Sequence, residues 1–121
     1  MGAQSINEDE YRLIQDYCIL PFVRDAVMNN SKAMMESGYS MKMLYVKSSE
    51  MVLRIIEEDI RSVRAQVRKL KVSIAEVKRN DDGILYEVIL RGYKSEYALL
   101  RHVVKKEMAN KLQRYIGSLF R

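Results

Sequence analysis

The chain has 121 residues, 48% of them hydrophobic and 31% charged, and a formal charge of +5. That length closes one core rather than two, and the composition excludes both a disordered polar chain and a bilayer span of ~20 apolar residues. One cysteine and one histidine exclude a disulfide scaffold and a structural zinc site, which needs about four Cys or His ligands.

Residues 1–121 read as a single domain. The first residues, Met1 to Ile6, lack the basic and apolar regions of a secretory signal, and Ile6 stands where a myristoylation pattern wants Ser or Thr. With the single Cys18, this makes the cytoplasm the expected location and a membrane partner unexpected.

A first helical segment is expected over 7–36. Ser5 with Glu8, or Asn7 with Glu10, has capping-box spacing, and Glu8, Asp9 and Glu10 complement the helix dipole. Tyr11, Ile14, Cys18 and Phe22 share one face. Pro21 removes a backbone donor and crowds the preceding turn, so a kink or break is expected there. Ser37 and Gly38 end the segment.

A long helix is expected over 40–72. Val46, Leu53, Ile56, Ile60, Val63, Val67 and Leu70 form an apolar seam with coiled-coil spacing, and Ser49 fills its one gap. A helix of about 30 residues is ~45 Å long, against a diameter of ~26 Å for a compact domain of this size. The excess length points to a second subunit covering part of the seam, hence a homodimer; an intramolecular bundle would use the same pattern.

An antiparallel hairpin is expected over 73–93. Ser73 to Arg79 and Ile84 to Tyr93 are rich in Val, Ile and Tyr and flank Asn80-Asp81-Asp82-Gly83. An Asp82-Gly83 turn places Lys78 opposite Glu87; a four-residue loop places Glu76 opposite Glu87. Charge pairing and turn preference favour the first. Ile84, Tyr86, Val88 and Leu90 alternate onto one face, joined by Ala75 and Val77; Leu85 and Ile89 on the other face suggest partial cover there too. A final helix is expected over 95–119, with Tyr97, Leu100, Val104, Met108, Leu112, Tyr115 and Leu119 as its stripe. The fold class is therefore α+β, mostly helical: helix, long helix, antiparallel β-hairpin, helix.

Charge is unevenly spread. Residues 1–60 carry 6 basic and 10 acidic side chains; residues 61–121 carry 15 and 6. Arg61, Arg64, Arg68 and Lys71 run along the long helix one residue after seam positions. Lys78 and Arg79 flank the hairpin turn, and Lys105 and Lys106 lie on the last helix. Such a set can meet phosphates, and a hairpin between helices suggests the wing of a winged-helix DNA binder. A short recognition helix is missing from that comparison. The commoner meaning of such a set is a solvated face, with the acidic first half docking on the basic second half.

No catalytic set is found, so no enzyme, cofactor or metal site is expected. The glycines are too scattered for a phosphate-binding loop. His102 lies among Arg101, Lys105 and Lys106 without a well-placed carboxylate, and reads as a surface histidine. Cys18 on an apolar face reads as a small hydrophobe. Glu57, Glu58 and Asp59 lack the histidine of a di-metal bundle; Glu57 and Glu50 are expected to pair with Arg61 and Arg54.

Six of the eight methionines fall between Met28 and Met51. Met34, Met35, Met41 and Met43, with Tyr39 and Tyr45, read as a core patch beneath the Ser37-Gly38 connection. If exposed, they are the best protein-contact surface in the chain.

The apolar stretch broken at Leu20-Pro21, the long helix ending in Leu70-Lys71-Val72, the hairpin, and Gly92-Tyr93 leading into the last helix resemble small uncharacterised proteins of Bacillus-type bacteria, over about residues 10–116. The resemblance implies a bacterial cytosolic protein and transfers no functional residue. The expected function is a non-enzymatic interaction or regulatory module; the alternative is a nucleic-acid-binding regulator.

Overall fold

The computed structural model describes residues 6–120. The order is α1 (Glu8–Met35), α2 (Lys42–Leu70), β1 (Ser73–Asn80), β2 (Gly83–Leu90), β3 (Tyr93–Leu100) and α3 (Arg101–Leu119). The class is α+β with helices dominant, and the expected hairpin is two strands of a three-stranded antiparallel sheet in the order β1-β2-β3.

α1 opens with the Asn7 capping box. Asn7 Oδ1 accepts from the Glu10 N–H at 2.8 Å, and Glu10 Oε1 accepts from the Asn7 N–H at 3.0 Å. The Ser5 alternative lies outside the described residues. α1 does not break at Pro21. Cys18, Ile19, Leu20 and Val23 are buried on both sides of the proline. That packing outweighs the ~3 kcal/mol that an interior proline costs.

α2 lies antiparallel to α1. Its buried row is Val46, Ser49, Val52, Ile56, Ile60, Val63 and Val67, with Leu53 and Leu70 half-buried beside it. α1 and α3 pack on α2 within one chain, and Val52, Ile56, Ile60, Val63 and Val67 share one core with Ile14, Ile19 and Val23. The length of α2 therefore gives no reason for a second subunit: α1, with 28 residues against 29, is nearly as long. The helical pairs expected for Glu50 and Glu57 do not form as read, since Glu50 meets Lys47 instead, at 3.7 Å.

α2 stops in a Schellman arrangement. The Val72 N–H donates to Val67 O and the Lys71 N–H to Arg68 O, with Lys71 left-handed at φ 60°. A lysine there carries a Cβ clash that glycine avoids. Lys71→Gly is expected to raise stability by about 0.5–1 kcal/mol, read as a higher urea midpoint at unchanged slope.

The sheet departs from the expected hairpin in three ways. First, the favoured Asp82-Gly83 register is not adopted, and the four-residue-loop register holds only from Asn80 to Lys78. Arg79 lies opposite Ile84 and Asn80 opposite Gly83, leaving a two-residue Asp81-Asp82 turn; the Asn80 side chain accepts from the N–H groups of Asp82 and Gly83. A bulge at Val77 then moves Glu76 opposite Tyr86 and Ala75 opposite Glu87. The bulge separates the two like charges that a regular ladder would oppose. Second, Ile74 rather than Ala75 or Val77 joins the core face; Ala75 and Val77 are exposed. Third, residues 95–100 are strand, not helix. Arg91 and Gly92 both have positive φ and make a tight turn into β3, where Tyr97 and Leu99 alternate inward. Helix begins only at Arg101, whose N–H donates to Asp82 O.

The core face of the sheet lies on α1. Tyr97 meets Tyr11 edge-on at 5.5 Å, and Arg79 stacks over Phe22 at 5.6 Å. Leu85 and Ile89 on the outer face are half-buried.

Candidate functional site

At the end of the molecule away from the sheet, three helix ends do not close on one another. The C-terminal turns of α1, the N-terminal half of α2 and the C-terminal half of α3 surround an open cleft of about 780 Å³. Val27, Met34, Met41, Leu44, Val52, Leu112, Ile116 and Phe120 supply apolar wall, and Tyr39, Tyr45, Ser40, Ser48 and Asn30 add uncharged polar groups. Among the described residues no charged side chain lines it. Leu44 is 61% exposed and Phe120 79%, unusual for residues of this type.

This is the methionine-rich region. It is not a core patch: Met35, Met41, Met43, Tyr39 and Tyr45 are exposed and Met34 is half-buried. Met34, Tyr39, Met41 and Tyr45 line the cleft; Met35 and Met43 flank it on the surfaces of the same helix ends. Leu112 and Leu119 of the α3 wall belong to the apolar stripe read from the sequence, there as core rather than cleft. Ile116 and Phe120 fall outside the predicted α3 stripe, and that surplus apolar width was the available signal.

α3 reaches the cleft through polar anchors. Its two buried residues are Lys111 and Tyr115, one turn apart. Lys111 Nζ lies 2.6 Å from Asp16 Oδ1 on α1, and the Tyr115 hydroxyl donates to Asp59 Oδ2 on α2 at 2.6 Å. Burial pushes the Tyr115 hydroxyl up from its usual range, and its bond to the Asp59 carboxylate adds to this. A second link joins the acidic first half to the basic second half: Arg91 forks onto the Glu10 carboxylate at 2.7 and 3.2 Å. Arg91 and the Asn7 N–H hold the Glu10 carboxyl below the usual carboxylate range. A depressed folded-state pKa stabilises the fold above the unfolded value of ~4.3, and the benefit disappears as pH falls through the folded value. Glu10→Gln is thus expected to cost stability at neutral pH, with the gap to the parent closing in acid; urea titrations at several pH values check this.

The eight basic positions are all exposed: Arg61, Arg64 and Arg68 on α2, Lys71 at its end, Lys78 and Arg79 on β1, and Lys105 and Lys106 on α3. Arg79 is held by Glu76 at 2.8 Å. The other seven have no acidic partner among the described residues, so the acidic half does not cover them.

Cys18 is buried against Tyr86, and burial pushes its thiol up to about 12, which makes it a poor nucleophile. His102 is exposed at the start of α3. No helix among the described residues is long and apolar enough to cross a membrane.

Two antiparallel helices, a three-stranded meander and a closing helix make a small α+β protein with an open apolar cleft at one end. Residues 5–120 match the YhjD protein family, and the chain belongs to it. It is 24% identical over 112 residues to the uncharacterized protein YhjD of Bacillus subtilis (strain 168), an alignment covering 93% of each chain. The resemblance to proteins of Bacillus-type bacteria therefore holds. No solved structure matches the chain.

Proposed function

We propose that the chain is a non-enzymatic interaction module whose cleft takes an apolar, helical segment of a partner protein. The observation that carries this reading is the open cleft with exposed leucine, methionine, tyrosine and phenylalanine walls. Flexible methionines suit a groove that must adapt to a helix, and the spacing i, i+3, i+4, i+7 supplies the side chains to fill it. A small molecule is less well served. Its site needs convergent polar groups to orient it, and the described residues of this lining offer no charge. A small molecule would also leave Met35 and Met43 in water. The cytoplasm is the proposed location, where a buried free thiol such as Cys18 stays reduced.

The test uses a labelled peptide of leucine and glutamine with leucines at that spacing; being uncharged, it gains nothing from the chain's net charge. The parent protein is expected to bind it, and Leu44→Asp to weaken binding roughly tenfold or more, because an unpaired charge would be buried. Equal binding by a scrambled peptide, or none by the ordered one, overturns the reading. Sedimentation equilibrium tests the other occupant: a dimer lost in Leu44→Asp would mean that a second copy fills the cleft.

Nucleic-acid binding is the second reading, favoured by seven exposed cations without an acidic partner among the described residues. Fluorescence anisotropy with duplex DNA and single-stranded RNA at two salt concentrations tests it. Phosphate-led binding weakens steeply with salt, and Arg64→Glu with Arg68→Glu should flatten that slope. No binding at low salt ends this reading.

A further inference from the structure

We propose that α3 is a movable wall: it opens from the α1–α2 pair as a unit, and the Lys111–Asp16 and Tyr115–Asp59 contacts set how often it does so. The inference deepens the reading of the cleft as the binding site and depends on it for its functional half.

The way α3 is attached supports this. α1 buries six residues and α2 seven, nearly all apolar; α3 buries two, Lys111 and the core ring of Tyr115, each tied to a carboxylate. Val103, Val104 and Met108 pack only partly against the core. In its second half Leu112 and Leu119 pack at the core edge while lining the cleft, and Ile116 and Phe120 line the cleft while exposed. An element with little buried apolar contact opens at lower free energy than the core beside it.

The two anchors point to different helices, so each holds α3 against one side of the cleft. Its first turn has no side-chain cap and no acidic residue, and hangs on the sheet by the Arg101 N–H bond to Asp82 O. That leaves the junction of β3 and α3 as the natural pivot. With α3 displaced, the cleft widens along the wall that carries Ile116 and Phe120. A partner helix then competes with closure, and the anchors tune its apparent affinity.

Hydrogen exchange followed by mass spectrometry on the full chain reads the motion. In the parent, amides of α3 are expected to exchange well ahead of those in the middle of α2 and in β2. Tyr115→Phe keeps the ring and removes the hydroxyl that reaches a carboxylate. It should speed exchange of α3 roughly tenfold or more and leave α1, α2 and the sheet unchanged. Asp59→Asn retains an acceptor and should restore most of the protection that Asp59→Ala loses. Equal acceleration in every element, or α3 exchanging at the rate of the α2 core, overturns the inference, because α3 would then open only with the whole fold.

The leucine–glutamine peptide reads the functional half. It should associate faster with Tyr115→Phe, in proportion to the gain in exchange. Faster exchange at an unchanged association rate overturns gating. A peptide that binds neither protein sinks the cleft reading and gating with it, whereas separate opening of α3 would stand on the exchange data.

Discussion

Replacing Gly83 with alanine is expected to lower the unfolding free energy by roughly 2–4 kcal/mol. Gly83 starts β2, opposite Asn80 on one side and Leu100 on the other. Its φ of 157° lies where L side chains are strained, and a Cβ would stand 2.4 Å from Leu99 O and 3.0 Å from Leu100 Cα. Both are backbone atoms, so no rotamer change relieves the clash. The strands would have to separate at the point where β3 hands over to α3. Urea denaturation, with the slope checked for constancy, measures the loss. A shift below about 0.5 kcal/mol, the scale of an ordinary surface substitution, would mean that residues 95–100 do not pair with β2. They would then continue the last helix, as their sequence alone suggests.

Ile56→Ala is expected to cost roughly 2–5 kcal/mol, the range for deleting a large aliphatic side chain from a packed core. Ile56 is completely buried at the middle of the α2 row, within the cluster that includes Ile19 and Val23. The cost combines lost transfer energy with the cavity left behind. Its second signature separates two readings of the seam. A seam filled by α1 of the same chain gives an unfolding midpoint independent of protein concentration, in parent and variant alike. A seam shared between subunits gives a midpoint that rises with concentration, since association adds to stability by mass action. Chemical denaturation at two concentrations a hundredfold apart decides between them.

The two long helices were legible because their signals are local. The Asn7–Glu10 capping box, the acidic first turn of α1 and the 3-and-4 spacing of the α2 seam each depend on neighbours within a few residues. The alternation of β2 is legible for the same reason, with Ile84, Tyr86, Val88 and Leu90 all buried. Tyr97 was the ambiguous residue. It sits at helical spacing from Val104 and at strand spacing from Leu99, and only pairing with Tyr86 across the sheet chooses between them. The bulge at Val77 was illegible likewise, because it answers to which residue Glu76 meets on β2.

The candidate site divides in the same manner. Met34, Tyr39, Met41 and Tyr45 were singled out from composition, but their exposure depends on how far α3 closes, and that rests on Lys111 and Tyr115 reaching carboxylates 95 and 56 residues away in sequence. The spacing of the eight cations is a sequence property, and their exposure is a tertiary one.

By itself, then, the sequence determined the two long helices, the strand character of β2 and the inert setting of Cys18. Hydrophobic period and capping chemistry act over one or two turns, and a reader of the chain sees them whole. Tertiary structure alone decided the third strand, the bulged register, the intramolecular cover of the α2 row and the opening of the cleft. Each of these is a choice between partners distant along the chain, and burial free energy makes that choice only once the chain has brought them together.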